Sequence, residues 1–181
     1  MNFRLASIED VPGIVKTKVD TWRTTYQSIF PADFLQSLSY AENEIRWRKR
    51  FTNPERKVFI YIAETDSKEI VGFSMGSPEQ FELALKIPSI RKYVGEIMAI
   101  YVLKQYQRKK IGLKLVKLIV ERLVEKDIRS MIVWVLQGNP YYKFYEALGG
   151  KYVGQKMLEI EGVNYVEHAY GWVDIREILT I

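Results

Sequence analysis

The chain has 181 residues, 48% of them hydrophobic and 27% charged, with a formal net charge of +5. That balance fits one globular domain with a real core and excludes a disordered chain. No Cys is present, which excludes a disulfide framework, a thiol nucleophile and a thiolate metal site.

No apolar run approaches the roughly 18 residues of a membrane span. The opening "MNFRLASIED" lacks the basic-then-apolar layout of a signal peptide. A cytoplasmic protein without a membrane partner is therefore expected. The basic excess is modest and suits a small anionic ligand as well as nucleic acid. A nucleic-acid binder of this size is often more basic, with its charge on one face, so nucleic acid is not the expected partner.

The elements alternate along the chain, with no repeat and no Gly/Ser linker. Residues 2–7 ("NFRLAS") read as a short strand. Ser7 or Asp10 is placed to cap the next helix, with Pro12 in its first turn, running to about Tyr26. Pro31 opens a second helical stretch, and residues 40–51 form a third, charged and amphipathic one. Then the pattern turns to β. Residues 57–65 and 69–77, separated by "DSK", predict a hairpin. Residues 92–103 ("KYVGEIMAIYVL") become apolar on both faces, as in a central strand. A helix is expected over 109–126, a buried strand over 130–136 and a short helix over 140–148, stopped by Gly149 and Gly150. Two strands close the chain, in "KYVGQKMLEI" and "VNYVEHAYGWV". The sum is an α/β domain over 1–181 with one mixed, mostly antiparallel sheet and helices on its faces.

The turn "QYQRKKIGLKL" (105–115) directly follows the central strand and opens a helix. Such a turn offers unpaired N–H groups and the positive end of a helix dipole, a ready anion site. Arg108, Lys109 and Lys110 crowd a helix end where cations are unfavourable, and a bound phosphate would relieve that. A solvated basic turn explains the same residues equally well. In the helix, Gly112, Leu115, Val116, Ile119 and Leu123 make the apolar stripe, while Lys114 and Lys117 face solvent. Neither G-x-x-x-x-G-K-[ST] nor G-x-G-x-x-G occurs, so nucleotide-hydrolysing and dinucleotide-binding readings lose support.

The stretch "EIMAIYVLKQYQRKKIGLKLV" resembles the acetyl-CoA-binding motif of the GNAT N-acetyltransferases, a strand followed by Q/R-x-x-G-x-G/A at a helix start. Gln107 fills its first position and Gly112 its last; Lys110 stands where the first glycine would be. "NPYYKFYEALGG" (139–150) resembles the second family motif. The resemblance implies acetyl-CoA as cosubstrate and an amine acceptor, small molecule or peptide, and it leaves a homodimer open. It puts the pyrophosphate on the turn Gln107, Arg108, Lys109, Lys110, Ile111, Gly112 and Leu113. It puts the pantetheine arm along Ile100, Tyr101, Val102 and Leu103, with Asn139 and Phe144 also on the cofactor side. Lys110 is expected in helical backbone, where a Cβ brings no strain.

Acetyl transfer to an amine needs a base for the ammonium, donors for the oxyanion and an acid for the departing thiolate. Glu96 is the candidate base, because a carboxylate mid-strand among apolar neighbours is costly without a role or a partner. A sheet Glu paired with a cation is the competing reading. Tyr145, the Tyr of the Phe-Tyr pair, is the candidate acid, and plain packing competes. Asn139 equally suits a helix cap before Pro140. Trp22 and Tyr26, four apart on one helix face, are the candidate acceptor side, or core. Glu42, Glu44 and Asp33 could attract a cationic amine. His168, the one His, reads as a strand residue, and with no Cys a metal is not implied.

Two rivals remain in view. "GFSMG" (72–76) matches the G-x-S-x-G nucleophile elbow, with Ser74, Asp127 and His168 in hydrolase order. It falls inside an expected strand, where an elbow cannot form. A basic nucleic-acid-binding module would use the turn and its aromatic neighbours.

Overall fold

A computed structural model describes residues 1–53, 55, 57–80 and 87–181. Its strands are β1 (Asn2–Leu5), β2 (Phe59–Glu64), β3 (Ile70–Ser77), β4 (Gly95–Val102), β5 (Met131–Leu136), β6 (Lys151–Ile160) and β7 (Val163–Trp172). Its α-helices are α1 (Val11–Thr25), α2 (Ala32–Ser37), α3 (Tyr40–Thr52), α4 (Ile111–Val124) and α5 (Tyr142–Ala147). The strands form a seven-stranded sheet in the order β1-β2-β3-β4-β5-β7-β6. β4 and β5 run parallel, while β1/β2, β5/β7 and β6/β7 are antiparallel. The mixed, mostly antiparallel sheet expected from the sequence is present.

The chain divides into two compact units, Met1–Met75 with Ala99–Ile119, and Gly76–Met98 with Val120–Ile181. In the first, α1 forms because Val11, Ile14, Val15 and Val19 recur at helical spacing and are buried. The Asp10 carboxylate accepts from the Ser7 N–H at 2.8 Å, fixing the entry to the helix, and Pro12 sits in its first turn. Arg23 in its last turn donates to the Leu35 and Leu38 carbonyls at 3.1 and 2.9 Å. It thereby satisfies carbonyls that the six-residue α2 leaves open. Ala63, Val71, Leu103, Ile111 and Leu115 make the core beneath the end of β4.

In the second unit, Ile90, Tyr93, Ile132 and Ala169 form the core cluster. The β4/β5 register covers Gly95↔Met131, Glu96↔Ile132 and Ile97↔Val133, whereas β5 pairs with β7 along its whole length. Two helices are shorter than expected. α4 stops at Val124 because Asp127 turns left-handed (φ 59°) and Ile128 N–H returns to the Leu123 carbonyl at 3.0 Å. α5 starts at Tyr142 because the Asn139 side chain first accepts the Tyr141 N–H at 2.9 Å. At its other end Gly149 takes φ +85°, and a Cβ on Gly150 would lie 2.6 Å from the Trp172 ring.

Candidate active site

Leu103 leaves β4 with its N–H on the Val71 carbonyl (2.9 Å), and its own carbonyl accepts the Tyr106 N–H (2.8 Å). The chain therefore folds tightly over Lys104–Tyr106. The Gln107 side-chain amide donates to the Val102 carbonyl at 3.0 Å and ties the turn back to its strand. Arg108 and Lys110 then both adopt left-handed backbone, φ 63° and 62°, before α4 opens at Ile111.

The expected helical backbone of Lys110 is thus corrected. Passing from strand to helix within a few residues demands sharp reversals on either side of Lys109. Left-handed residues supply them, at a cost of about 1–2 kcal/mol each when a Cβ is present. Lys110 keeps the backbone a glycine would take at that motif position. Left- and right-handed residues in alternation turn successive N–H groups toward one side, which makes an anion-binding concavity. The Lys114 N–H reaches the Lys110 carbonyl at 3.0 Å, so the N–H groups of Ile111, Gly112 and Leu113 precede the first helical bond. Arg108, Lys109 and Lys110 are all exposed, and the Lys109 ammonium lies 5.2 Å from the centre of the Tyr106 ring. Behind the turn, Leu115, Val116, Ile119 and Leu123 are fully buried, as the apolar stripe predicts.

The same unit brings Trp22 and Tyr26 together with β4. The Trp22 Nε1–H donates to the Tyr101 hydroxyl at 2.9 Å. Trp22 stacks on Phe30 with ring centres 5.5 Å apart and meets Tyr26 edge-on at 5.1 Å. Tyr101 in turn lies 5.4 Å from Phe73. Tyr26 and Phe30 are buried and Trp22 is half-buried, so this is an aromatic wall with one open member. Sequence reasoning found Trp22 and Tyr26, and placed Tyr101 on the pantetheine side, but missed Phe30 and, one helical turn before Trp22, Lys18. The Lys18 ammonium sits 5.5 Å from the centre of the Trp22 ring. The signal for Lys18 was present in the same four-residue spacing.

The second unit holds the other candidates. Glu96 is 6% exposed, between buried Gly95 and Ile97. Tyr145 is 7% exposed on α5, with Phe144 edge-on at 5.3 Å and Tyr170 stacked at 6.4 Å. Asn139 uses its side-chain oxygen to cap the turn into α5, the structural role left open for it. His168 lies on β7 opposite Val135 and Gln155, its ring edge-on to Tyr152, as read from the sequence.

Ser74 is not a nucleophile on an elbow. It is fully buried within β3, and its hydroxyl donates to the Leu115 carbonyl at 3.2 Å. The hydrolase reading falls with it. Among the described residues no helix is long and apolar enough to cross a membrane, and no group of three or more His, Asp or Glu could hold a metal ion.

The strand-turn-helix connection after β4 thus carries exposed cations and open helix N–H groups at one end of the seven-stranded sheet. Residues 19–150 match the acetyltransferase (GNAT) family model, and the chain belongs to that family. It is an acetyl-CoA-dependent N-acetyltransferase. It is 35% identical over 178 residues to the uncharacterized N-acetyltransferase YuaI of Bacillus subtilis (strain 168), covering 98% of this chain and 96% of that one. Its fold is similar to that of the PaiA N-acetyltransferase from Thermoplasma acidophilum in complex with coenzyme A. That match has a TM-score of 0.64 at 19% identity, over 93% of this chain and 98% of the other. It is similar also to YncA from Salmonella typhimurium with its cofactor acetyl-CoA, with a TM-score of 0.66 at 14% identity over 97% and 94%.

Proposed function

We propose that the protein transfers acetyl directly from acetyl-CoA to a primary amine. The observation that carries this is the doubly left-handed turn after β4. Its N–H groups from Arg108 to Leu113 would hold the pyrophosphate, with Arg108 and Lys110 adding charge, while the Gln107 N–H closes the preceding turn on the Lys104 carbonyl. Ile100, Tyr101, Val102 and Leu103 would accompany the pantetheine arm. The β4/β5 register, which stops at Ile97↔Val133, supports this use of the strand beyond it. The family resemblance adds Phe144 and Asn139 as residues that would contact the cofactor.

In the reaction, Glu96 takes the ammonium proton through water. The neutral nitrogen attacks the thioester carbonyl carbon, and a backbone N–H of β4 stabilises the oxyanion. The carbon–sulfur bond breaks, Tyr145 gives its phenolic proton to the thiolate, and the second proton of the acetylated nitrogen passes through water to the phenolate. Trp22 and Tyr26 form the acceptor side. Residues 1–181 act as one cytoplasmic domain, since the family match runs through both units; a homodimer is compatible with this reading.

The test is pre-steady-state acetyl transfer by wild type, Glu96→Gln and Tyr145→Phe. General acid–base catalysis contributes about 10²–10⁴-fold, so each variant should lose rate on that scale while CoA still raises its melting temperature. Wild-type rates in both variants would remove Glu96 and Tyr145 from the mechanism.

A further inference from the structure

Arg23 stands in the last turn of α1, next in the chain to Trp22. Its guanidinium reaches the far end of α2. The Nε–H donates to the Leu35 carbonyl at 3.1 Å, and Nη2 donates to the carbonyls of Gln36 and Leu38 at 3.2 and 2.9 Å. Nη1 donates to the Tyr40 hydroxyl at 3.1 Å, and the guanidinium carbon lies 5.1 Å from the centre of that ring. The Tyr40 hydroxyl donates in turn to Asp20 Oδ1 at 2.6 Å, while Lys16 holds the other carboxylate oxygen at 2.7 Å. Asp20 and Arg23 thus tie residues 35–40 back to α1.

α2 needs this tie. It has six residues and no side-chain hydrogen bond at its N-cap Pro31, and a helix that short does not persist alone in water. Carbonyls at its C-terminal end lack intrahelical donors, and the planar fork of an arginine satisfies three of them at once. The rings of the aromatic wall sit on the tied segment. Phe34 on α2 meets Phe30 edge-on at 5.3 Å. Phe30 stacks on Trp22 with ring planes 2° apart and meets Tyr26 edge-on at 5.7 Å. Half of the wall therefore comes from α1 and its cap, and half from the segment that Arg23 holds.

We propose that Arg23 is a positioning residue for acetyl transfer: by fixing α2 to α1 it keeps Phe30 and Phe34 against Trp22, so that the acceptor meets a wall already formed. This rests on the reading of Trp22 and Tyr26 as the acceptor side. A wall that must first assemble weakens acceptor binding by the fraction of time it is assembled. The chemical step on a bound acceptor is unchanged. Arg23 therefore acts on KM for the acceptor, and not on kcat or on acetyl-CoA.

Two measurements on Arg23→Met and Arg23→Lys test it. Methionine keeps an unbranched side chain and removes every donor, whereas lysine keeps the charge without the fork. The first measurement reads the wall without substrate, as hydrogen exchange of the Trp22 indole N–H, which is protected while it donates to Tyr101. Exchange should be about ten- to hundredfold faster in Arg23→Met, the scale of a lost hydrogen bond to a charged group. Arg23→Lys should fall between, and the backbone N–H groups of β2 should keep their wild-type rates. Wild-type exchange at Trp22 in both variants overturns the proposal. So does an acceleration shared by β2, because Arg23 would then stabilise the fold as a whole.

The second measurement is acetyl transfer to benzylamine, spermidine, glycinamide and alanyl-alanine, followed with the amine that wild type turns over fastest. KM for that amine should rise about tenfold in Arg23→Met, with kcat and the acetyl-CoA KM held within about twofold. Faster Trp22 exchange with an unchanged acceptor KM removes the acceptor reading of the wall, and the proposal with it. A raised acceptor KM with unchanged Trp22 exchange keeps the acceptor reading and overturns the role of Arg23 through the wall. Turnover of all four amines no faster than hydrolysis of acetyl-CoA also overturns the proposal, and Trp22 exchange then shows separately whether Arg23 holds the wall.

Discussion

The Trp22 Nε1–H donates to the Tyr101 hydroxyl at 2.9 Å, joining α1 to β4 across 79 positions of sequence. On the proposed reading, a half-buried indole beside a strand hydroxyl fixes the acceptor wall to the strand that accompanies the cofactor. Trp22→Phe keeps an aromatic ring against Phe30 and deletes the donor. The expected cost is about 1 kcal/mol of stability, read by urea denaturation. The acceptor KM should rise while the acetyl-CoA KM holds. A rise in both would mean that the bond positions the cofactor strand instead.

Lys110 carries left-handed backbone with a Cβ in place. Relief of that strain by glycine, less the extra freedom glycine brings to the unfolded chain, leaves a gain of about 1 kcal/mol. At this chain length that is about 2–4 °C in melting temperature. Lys110→Gly should therefore melt higher than Lys110→Ala, which loses the same ammonium and keeps the strain. Equal melting temperatures would show that the turn relaxes when the charge is removed. CoA affinity of the two variants then separates the backbone's part from the ammonium's, since both lack the charge.

The strands were legible because their composition is so plainly β, and the helices because apolar residues recur at helical spacing. The end of α4 was misjudged by two residues because Asp127 makes the left-handed stop that a glycine would advertise more plainly. Lys110 was misjudged for the same reason. A motif glycine announces positive φ, but a lysine forced into the same backbone does not. The β4/β5 register and the aromatic wall are relationships between distant segments. Period and propensity carry no signal for them, whereas Ser74 could be dismissed from its strand context alone.

Lys18 gives a pH dependence of stability. Its folded value is lowered to about 8 from an ordinary 10.5. The unfolded chain then binds more protons between those values, so this lysine costs stability below about 8 and ceases to do so as pH rises through 10.5. Lys18→Met removes the titration altogether. The melting temperature of Lys18→Met minus that of wild type should be more positive at pH 7 than at pH 10. A difference that does not change with pH would mean Lys18 is solvated as freely as in the unfolded chain.

At the other end of the pH scale, Glu64 governs. It is 1% exposed and accepts from Arg4 at 2.9 Å, Asn2 at 2.8 Å and Lys68 at 3.2 Å. The Arg4 guanidinium, its strongest partner, holds it down to about 2 from an ordinary 4.5. Arg4 also grips Asp10 with two bonds, 2.7 and 2.8 Å, and lowers that carboxylate as well. A depressed carboxylate contributes stability that is present above its ordinary value and lost as pH falls toward the folded value. The melting temperature should therefore drop steeply between about pH 4.5 and 2, the two values for Glu64. Glu64→Gln should melt lower at pH 7 and lose less on acidification, because it has no proton to take up. Wild-type and variant curves that stay parallel through this range would show that other carboxylates set the acid limit. In that event Arg4→Met, which releases Asp10 and Glu64 together, would leave the steep drop in place.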